Sequence, residues 1–135
     1  MSATLGYEVF IKQPFEQAVE STIAALKTQG FGILTRVDVK ATMKEKINAD
    51  FRPYVILGAC NPPLAYKSLT LDPWIGLLLP CNVTVEEAPG GGSTVRLTNP
   101  EMMVELSAEK ENPDLQAVVS QASEKIQAVI DYLNS

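Results

Sequence analysis

A long amphipathic helix near the C-terminal end constrains the fold of this chain more than any other feature of its sequence. Asn112, Pro113 and Asp114 have the residue types that cap and open a helix. Apolar side chains then recur at helical spacing and form one stripe: Leu115, Val118, Val119, Ala122, Ile126, Val129, Ile130 and Leu133. Because strand patterns fill much of the remaining chain, we expect this stripe to pack on a sheet rather than on a membrane or a partner helix.

A second amphipathic helix is predicted near the N-terminus, from Pro14 to Gly30. Pro14 suits a first helical position, and Gly30 is a typical residue at a helix end. Glu16 near the start and Lys27 near the end match the helix dipole. The chain therefore contains two long helices that both need an apolar surface.

Five apolar segments predict strands. They are Leu5–Ile11, Phe31–Val37, Tyr54–Ala59, a strand within Trp74–Val85 that is interrupted near Pro80, and Thr94–Thr98. Short helices are expected at Val39–Lys46 after the cap Asp38, from Asn61 to Asp72, and at Glu101–Leu106. The glycine-rich segment 88–93 predicts a hairpin turn and not a phosphate-binding loop, because neither a P-loop lysine nor a helix follows it.

This order of elements predicts an α+β fold. Residues 1–135 are expected to form a single domain, in which the two long helices cover one face of an antiparallel sheet.

The net charge of −5 argues against nucleic-acid binding and against anionic membrane surfaces. No apolar run is long enough to span a membrane, and the N-terminus has no signal-peptide pattern, so a cytoplasmic location is expected.

Both cysteines lie in the apolar block from Tyr54 to Val83, and each is followed by asparagine: Cys60-Asn61 and Cys81-Asn82. Cys60 is expected to end a buried strand, and Cys81 to lie near the start of the next one. If these strands are antiparallel neighbours, the two sulfur atoms lie close together. The four residues would then line one pocket. The spacing fits neither a thioredoxin-like motif nor a zinc ribbon.

Three interpretations of the thiols remain open. In the first, both thiols are small buried apolar side chains. In the second, they form a reversible dithiol, or one of them traps a soft electrophile. In the third, they bind a soft ion such as Cu(I), with Met102 or Met103 as a thioether ligand. A thiol-dependent enzyme with Cys60 as the nucleophile is disfavoured. The chain has no histidine, so a lysine or carboxylate would have to serve as the base.

Basic residues near this block are further candidates for ligand binding. Arg52 lies beside Tyr54 together with Lys44 and Lys46, and Lys67 lies on the helix after Cys60. These side chains would hold a carboxylate or a phosphate. The alternative is a solvated surface on which they pair with neighbouring acidic residues. For Asn61 and Asn82 the alternative is a structural role, since asparagine side chains often form hydrogen bonds with loop backbone.

Several motifs resemble the bacterial and archaeal family called domain of unknown function 302. They are Gly-Phe-Gly-Ile-Leu-Thr at 30–35, Met-Lys-Glu-Lys at 43–46, Asp-Phe-Arg-Pro-Tyr at 50–54, Leu-Gly-Ala-Cys-Asn-Pro-Pro-Leu-Ala at 57–65, and Ile-Gly-Leu-Leu-Leu-Pro-Cys-Asn-Val at 75–83. The resemblance implies a compact fold similar to that of the TATA-box-binding protein, with a β-α-β4-α core, and a homodimer. It implies no particular activity and, because a shared fold carries no function, no nucleic-acid partner.

The sequence thus favours a small ligand-binding or stress-associated protein whose thiols bind or sense a soft metal or an oxidant. A thiol-dependent enzyme is one alternative. A structural dimerisation module without a small ligand is the other.

Overall fold

The computed structural model describes residues 4–135. The strands are β1 (Gly6–Ile11), β2 (Gly32–Asp38), β3 (Tyr54–Cys60), β4 (Cys81–Glu87) and β5 (Ser93–Thr98). The helices are α1 (Phe15–Thr28), α2 (Val39–Ile47), α3 (Pro62–Leu71), α4 (Glu101–Leu106) and α5 (Pro113–Asn134), with a 3₁₀ helix at Pro73–Leu78. The predicted α+β class and five strands are confirmed.

The five strands form one antiparallel sheet in the order β1-β5-β4-β3-β2. This arrangement is compatible with the expected β-α-β4-α core, into which α2, α3 and α4 are inserted. One face of the sheet is covered by α1 and α5, as the two apolar stripes predict. The buried side chains between them include Val19, Leu26, Leu57, Val83, Val85, Val95, Leu97, Ile126 and Val129.

The predicted helix caps are present. The backbone N–H of Ala41 donates to Asp38 (2.9 Å), and that of Asp114 donates to Asn112 (2.9 Å). Each cap satisfies a donor that has no partner within its own helix. The caps thereby fix where α2 and α5 begin relative to the sheet.

The apolar run before Pro80 is not part of a strand, although the sequence predicted one within Trp74–Val85. The backbone N–H of Trp74 donates to the Asp72 carboxylate (3.0 Å), and Pro73 occupies the first turn, so the chain coils into the 3₁₀ helix. Strand β4 begins only at Cys81. Pro80, which has no N–H to donate, therefore lies just before the strand.

Candidate functional site

Cys60 and Cys81 lie at the same end of two neighbouring strands. Strands β3 and β4 are antiparallel, and Ala59 faces Cys81 directly. Both cysteines are free and partly buried, so no disulfide joins them. The register thus brings the two cysteines to the same end of adjacent strands, with Cys60 one residue beyond the direct partner of Cys81.

Both cysteines line a small, partly open cavity of about 30 Å³ between the sheet, α3, α4 and α5. The third sulfur-containing side chain in its wall is Met103, which is buried; Met102 on the same helix is not part of the wall. The other lining residues are Phe31, Ala59, Asn61, Leu64, Ala65, Ser68, Leu79, Val118 and Ala122. This volume holds one water-sized guest or a single ion.

The polar side chains of the cavity wall already have partners. Asn61 caps α3 by accepting a hydrogen bond from the Leu64 N–H (3.4 Å), and its amide donates to the Gln29 carbonyl (3.1 Å). The Ser68 hydroxyl donates to the Leu64 carbonyl (2.9 Å). Among the lining side chains, the three sulfur atoms therefore remain as the donors available to a guest.

The cavity holds the Cys81 thiol in the neutral form. Burial raises the pKa of Cys81 to about 11, and the neighbouring Cys60 raises it further in the same direction. At neutral pH roughly one Cys81 side chain in ten thousand is then a thiolate. Because the thiolate is the nucleophile, Cys81 is a poor attacking group in the absence of a metal.

The wall contains no partner for acid–base catalysis. Its titratable side chains are Cys60 and Cys81 themselves, with no lysine or carboxylate among the residues that line it. A nucleophilic Cys60 would therefore have no base within the cavity. This arrangement does not favour the thiol-dependent enzyme.

Asn82 lies away from the thiols. Successive strand residues point to opposite faces, so Cys81 shares a face with buried Val83 and Val85, whereas Asn82 shares the other face with Thr84. There Asn82 lines a surface groove of about 550 Å³. The structure therefore brings together Cys60, Asn61 and Cys81, and separates Asn82 from them.

The two basic candidates also lie outside the cavity. The Arg52 guanidinium stacks on the rings of Phe51 (4.6 Å) and Tyr54 (5.6 Å), and its Nε donates to Glu86 Oε2 (2.5 Å). Lys67 lies on the exposed side of α3, in a surface groove that it shares with Asn61 and Lys125. Neither cation reaches the thiols.

A charged network on the sheet face opposite α1 and α5 was not identified from the sequence. Glu86, whose side chain is 8% exposed, accepts hydrogen bonds from Arg52 and Arg96, and Arg96 Nε also donates to Glu8 (2.9 Å). Burial acts to raise the pKa of Glu86, but the bonds from the two arginines outweigh it and leave the pKa below its usual value. Polar residues alternate with Val83 and Val85 in the sequence, which indicates a polar face of β4. Only the strand register shows which charged side chains are neighbours on that face.

The fold and the cavity together define a small α+β protein with a sulfur-lined interior. The part of the chain that the structure describes contains no helix long and apolar enough to cross a membrane. It also contains no cluster of three carboxylate, thiol or imidazole groups that would hold a metal without help from methionine.

Comparison with known proteins gives the family. The model of the domain of unknown function DUF302 matches residues 7–133, so the chain belongs to that family. A solved structure titled as an uncharacterised conserved DUF302 protein from Bacillus stearothermophilus is similar to it. The two sequences are 28% identical, the alignment covers 97% of this chain and 99% of that one, and the TM-score is 0.83. No curated protein matches the sequence.

Proposed function

We propose that the protein binds one soft monovalent cation, Cu(I), in the cavity lined by Cys60, Cys81 and Met103. The observation that supports this function is the presence of three sulfur-containing residues, Cys60, Cys81 and Met103, in the lining of one space of about 30 Å³. Thiolate and thioether ligands favour Cu(I) over magnesium, calcium and manganese. The size of the cavity suits a bare ion and leaves no room for an organic ligand.

Charge supports the same guest. A Cys81 thiolate in this apolar cavity is poorly solvated and would also be repelled by a thiolate at Cys60, and for these two reasons the pKa of Cys81 is raised to about 11. A cation between the sulfur atoms removes that repulsion and replaces the protons. The raised pKa makes metal-free Cys81 a weak nucleophile, and this property supports metal binding over oxidant sensing or catalysis through that thiol.

We expect Cu(I) affinity to rise with pH. Binding to Cys81 must release its proton, because the pKa of about 11 keeps this thiol protonated over the working range. Each unit of pH should therefore increase the apparent association constant about tenfold, or more if Cys60 also releases a proton. The measurement is titration of the reduced protein with Cu(I) against a competing chelator at pH 6, 7 and 8.

The expected stoichiometry is one Cu(I) per chain at each pH. Failure to retain copper against the chelator would overturn the proposed function. An affinity that stays constant between pH 6 and 8, after correction for protonation of the chelator, would show that Cys81 is not a ligand.

The reduced thiols that this function needs are consistent with a cytoplasmic location, which we also propose.

We propose further that two chains form a homodimer through the 3₁₀ helix. Trp74 and Leu77 are 76% and 79% exposed there, and Leu78 and Leu106 flank Trp74 in one groove of about 200 Å³. Exposed apolar patches of this kind are typical of protein–protein contacts.

Sedimentation velocity tests the homodimer. The wild-type chain is expected to sediment as a dimer, and the double variant Trp74→Ser/Leu77→Ser as a monomer. The double variant Tyr66→Ser/Tyr132→Ser is the control, since it removes two exposed rings outside that groove. A monomeric wild type would exclude the dimer without affecting the proposal for Cu(I).

A further inference from the structure

The sheet face opposite α1 and α5 carries a groove that is unrelated to the thiols. Its volume is about 550 Å³, which is within the range of small-molecule sites. Apolar and aromatic groups form part of the wall, namely Leu5, Tyr7, Tyr54 and Leu97. The polar side chains that line it are Glu8, Asn82, Thr84, Arg96 and Thr98.

A row of three polar residues crosses this groove. Arg96 of β5 is directly opposite Glu8 of β1 on one side and Thr84 of β4 on the other. Directly opposite residues in antiparallel strands have Cβ atoms about 5 Å apart. A group bound to the Arg96 guanidinium would therefore lie between the side chains of Glu8 and Thr84.

Arg96 has one permanent and one exchangeable counter-ion. Its Nη1 donates to the buried carboxylate of Glu86, which also accepts from Arg52, so this bond fixes the position of the guanidinium. Its Nε donates to Glu8, but the Glu8 side chain is 63% exposed. An exposed ion pair of this kind contributes little stability. A carboxylate from solution can therefore replace Glu8 at small cost.

Thr84 supplies a second, independent indication of a ligand. Its hydroxyl oxygen is buried and has no hydrogen-bond partner among the described residues. Buried polar groups in folded proteins are nearly always paired, so an unpaired hydroxyl beside a fixed guanidinium indicates an acceptor or donor that comes from outside the chain.

We propose that this groove binds a small organic carboxylate with an aromatic or apolar body. The carboxylate takes the place of Glu8 on Arg96 and accepts a hydrogen bond from the Thr84 hydroxyl. The body of the ligand lies against Tyr54. The site is independent of the thiol cavity, because the side chains that would hold the carboxylate, Arg96 and Thr84, lie on the opposite face of the sheet from Cys81.

Benzoate is the probe that tests this proposal, with benzamide as the matched neutral probe. In amide-resolved NMR titrations, benzoate is expected to shift the resonances of Asn82, Thr84 and Arg96, whereas benzamide shifts them much less. Glu8→Gln should tighten benzoate binding about threefold to tenfold, because the competing carboxylate is gone. Arg96→Gln should weaken binding at least about tenfold.

Arg36→Gln is the control, since Arg36 is an exposed arginine on β2 that does not line the groove. It should leave the benzoate affinity unchanged. Glu8→Gln keeps the proposal falsifiable even if Arg96→Gln fails to fold. The proposal is overturned if benzoate shifts residues elsewhere, if Glu8→Gln fails to tighten binding, or if a folded Arg96→Gln binds benzoate as the wild type does.

Discussion

Cys81→Ala is expected to weaken Cu(I) binding by on the order of a thousandfold or more. The substitution removes one of two thiolates, and apart from Met103 no other wall side chain offers a free donor. Substitution of a residue that only orients a metal ligand already lowers metal affinity about 10-fold to 100-fold, so loss of the ligand itself should lower the affinity more. Competition titration against a Cu(I) chelator measures the change, and Cys60→Ala should show a loss of similar size.

The two methionines of α4 provide a matched pair for the same experiment. Met103 lines the cavity and Met102 does not, although both lie on the same short helix. Met103→Leu nearly conserves volume and is expected to weaken binding about tenfold through loss of the thioether. Met102→Leu should have no effect. Equal Cu(I) affinities of the two methionine variants would show that Met103 is not a ligand. An unchanged Cu(I) affinity in Cys81→Ala would exclude the proposed site.

Gly58→Ala is expected to lower the free energy of unfolding by about 2 to 3 kcal/mol. A Cβ atom at Gly58 would lie 2.1 Å from the Thr35 hydroxyl oxygen and 2.8 Å from Cγ of Pro80. The hydroxyl can rotate away, but the proline ring cannot, and it lies just before the strand that carries Cys81. Urea denaturation followed by circular dichroism measures the difference.

Gly32→Ala is the control for this substitution. Gly32 lies on the neighbouring strand, opposite Cys60, and a Cβ there meets no atom within 4 Å. Its effect should stay within about 0.5 kcal/mol of zero. The double variant Gly58→Ala/Thr35→Ala should recover part of the loss, because only the contact with Pro80 remains. A Gly58→Ala protein as stable as Gly32→Ala would contradict the close packing over Gly58.

The sequence was most informative where local chemistry decides the structure. The residue types of Asp38, Asn61 and Asn112 predicted three helix starts, and each side chain accepts the expected backbone hydrogen bond. The two apolar stripes predicted which helices cover the sheet. The expected proximity of the two cysteines was conditional on antiparallel pairing of β3 with β4, and the observed register supplies that pairing.

The sequence was least informative where distant residues decide the structure. Arg96 and Glu8 are far apart in the chain and meet only through the pairing of β1 with β5, which no local pattern specifies. The run Pro73–Leu78 is apolar enough for a strand, and a single side-chain hydrogen bond from its backbone to Asp72 accompanies its coiling. A helix of six residues has too little periodicity to show whether Met102 or Met103 faces inward.

The pairing of the first strand with the last has a consequence for biosynthesis. Strand β1 leaves the ribosome early, but its one neighbour in the sheet is β5, and α5 is made later still. The sheet therefore cannot be completed until most of the chain has been translated. Val118 and Ala122 of α5 form part of the cavity wall. The wall around Cys60 and Cys81 is therefore incomplete until α5 docks, and a metal ion present during synthesis would reach the cysteines before that wall forms.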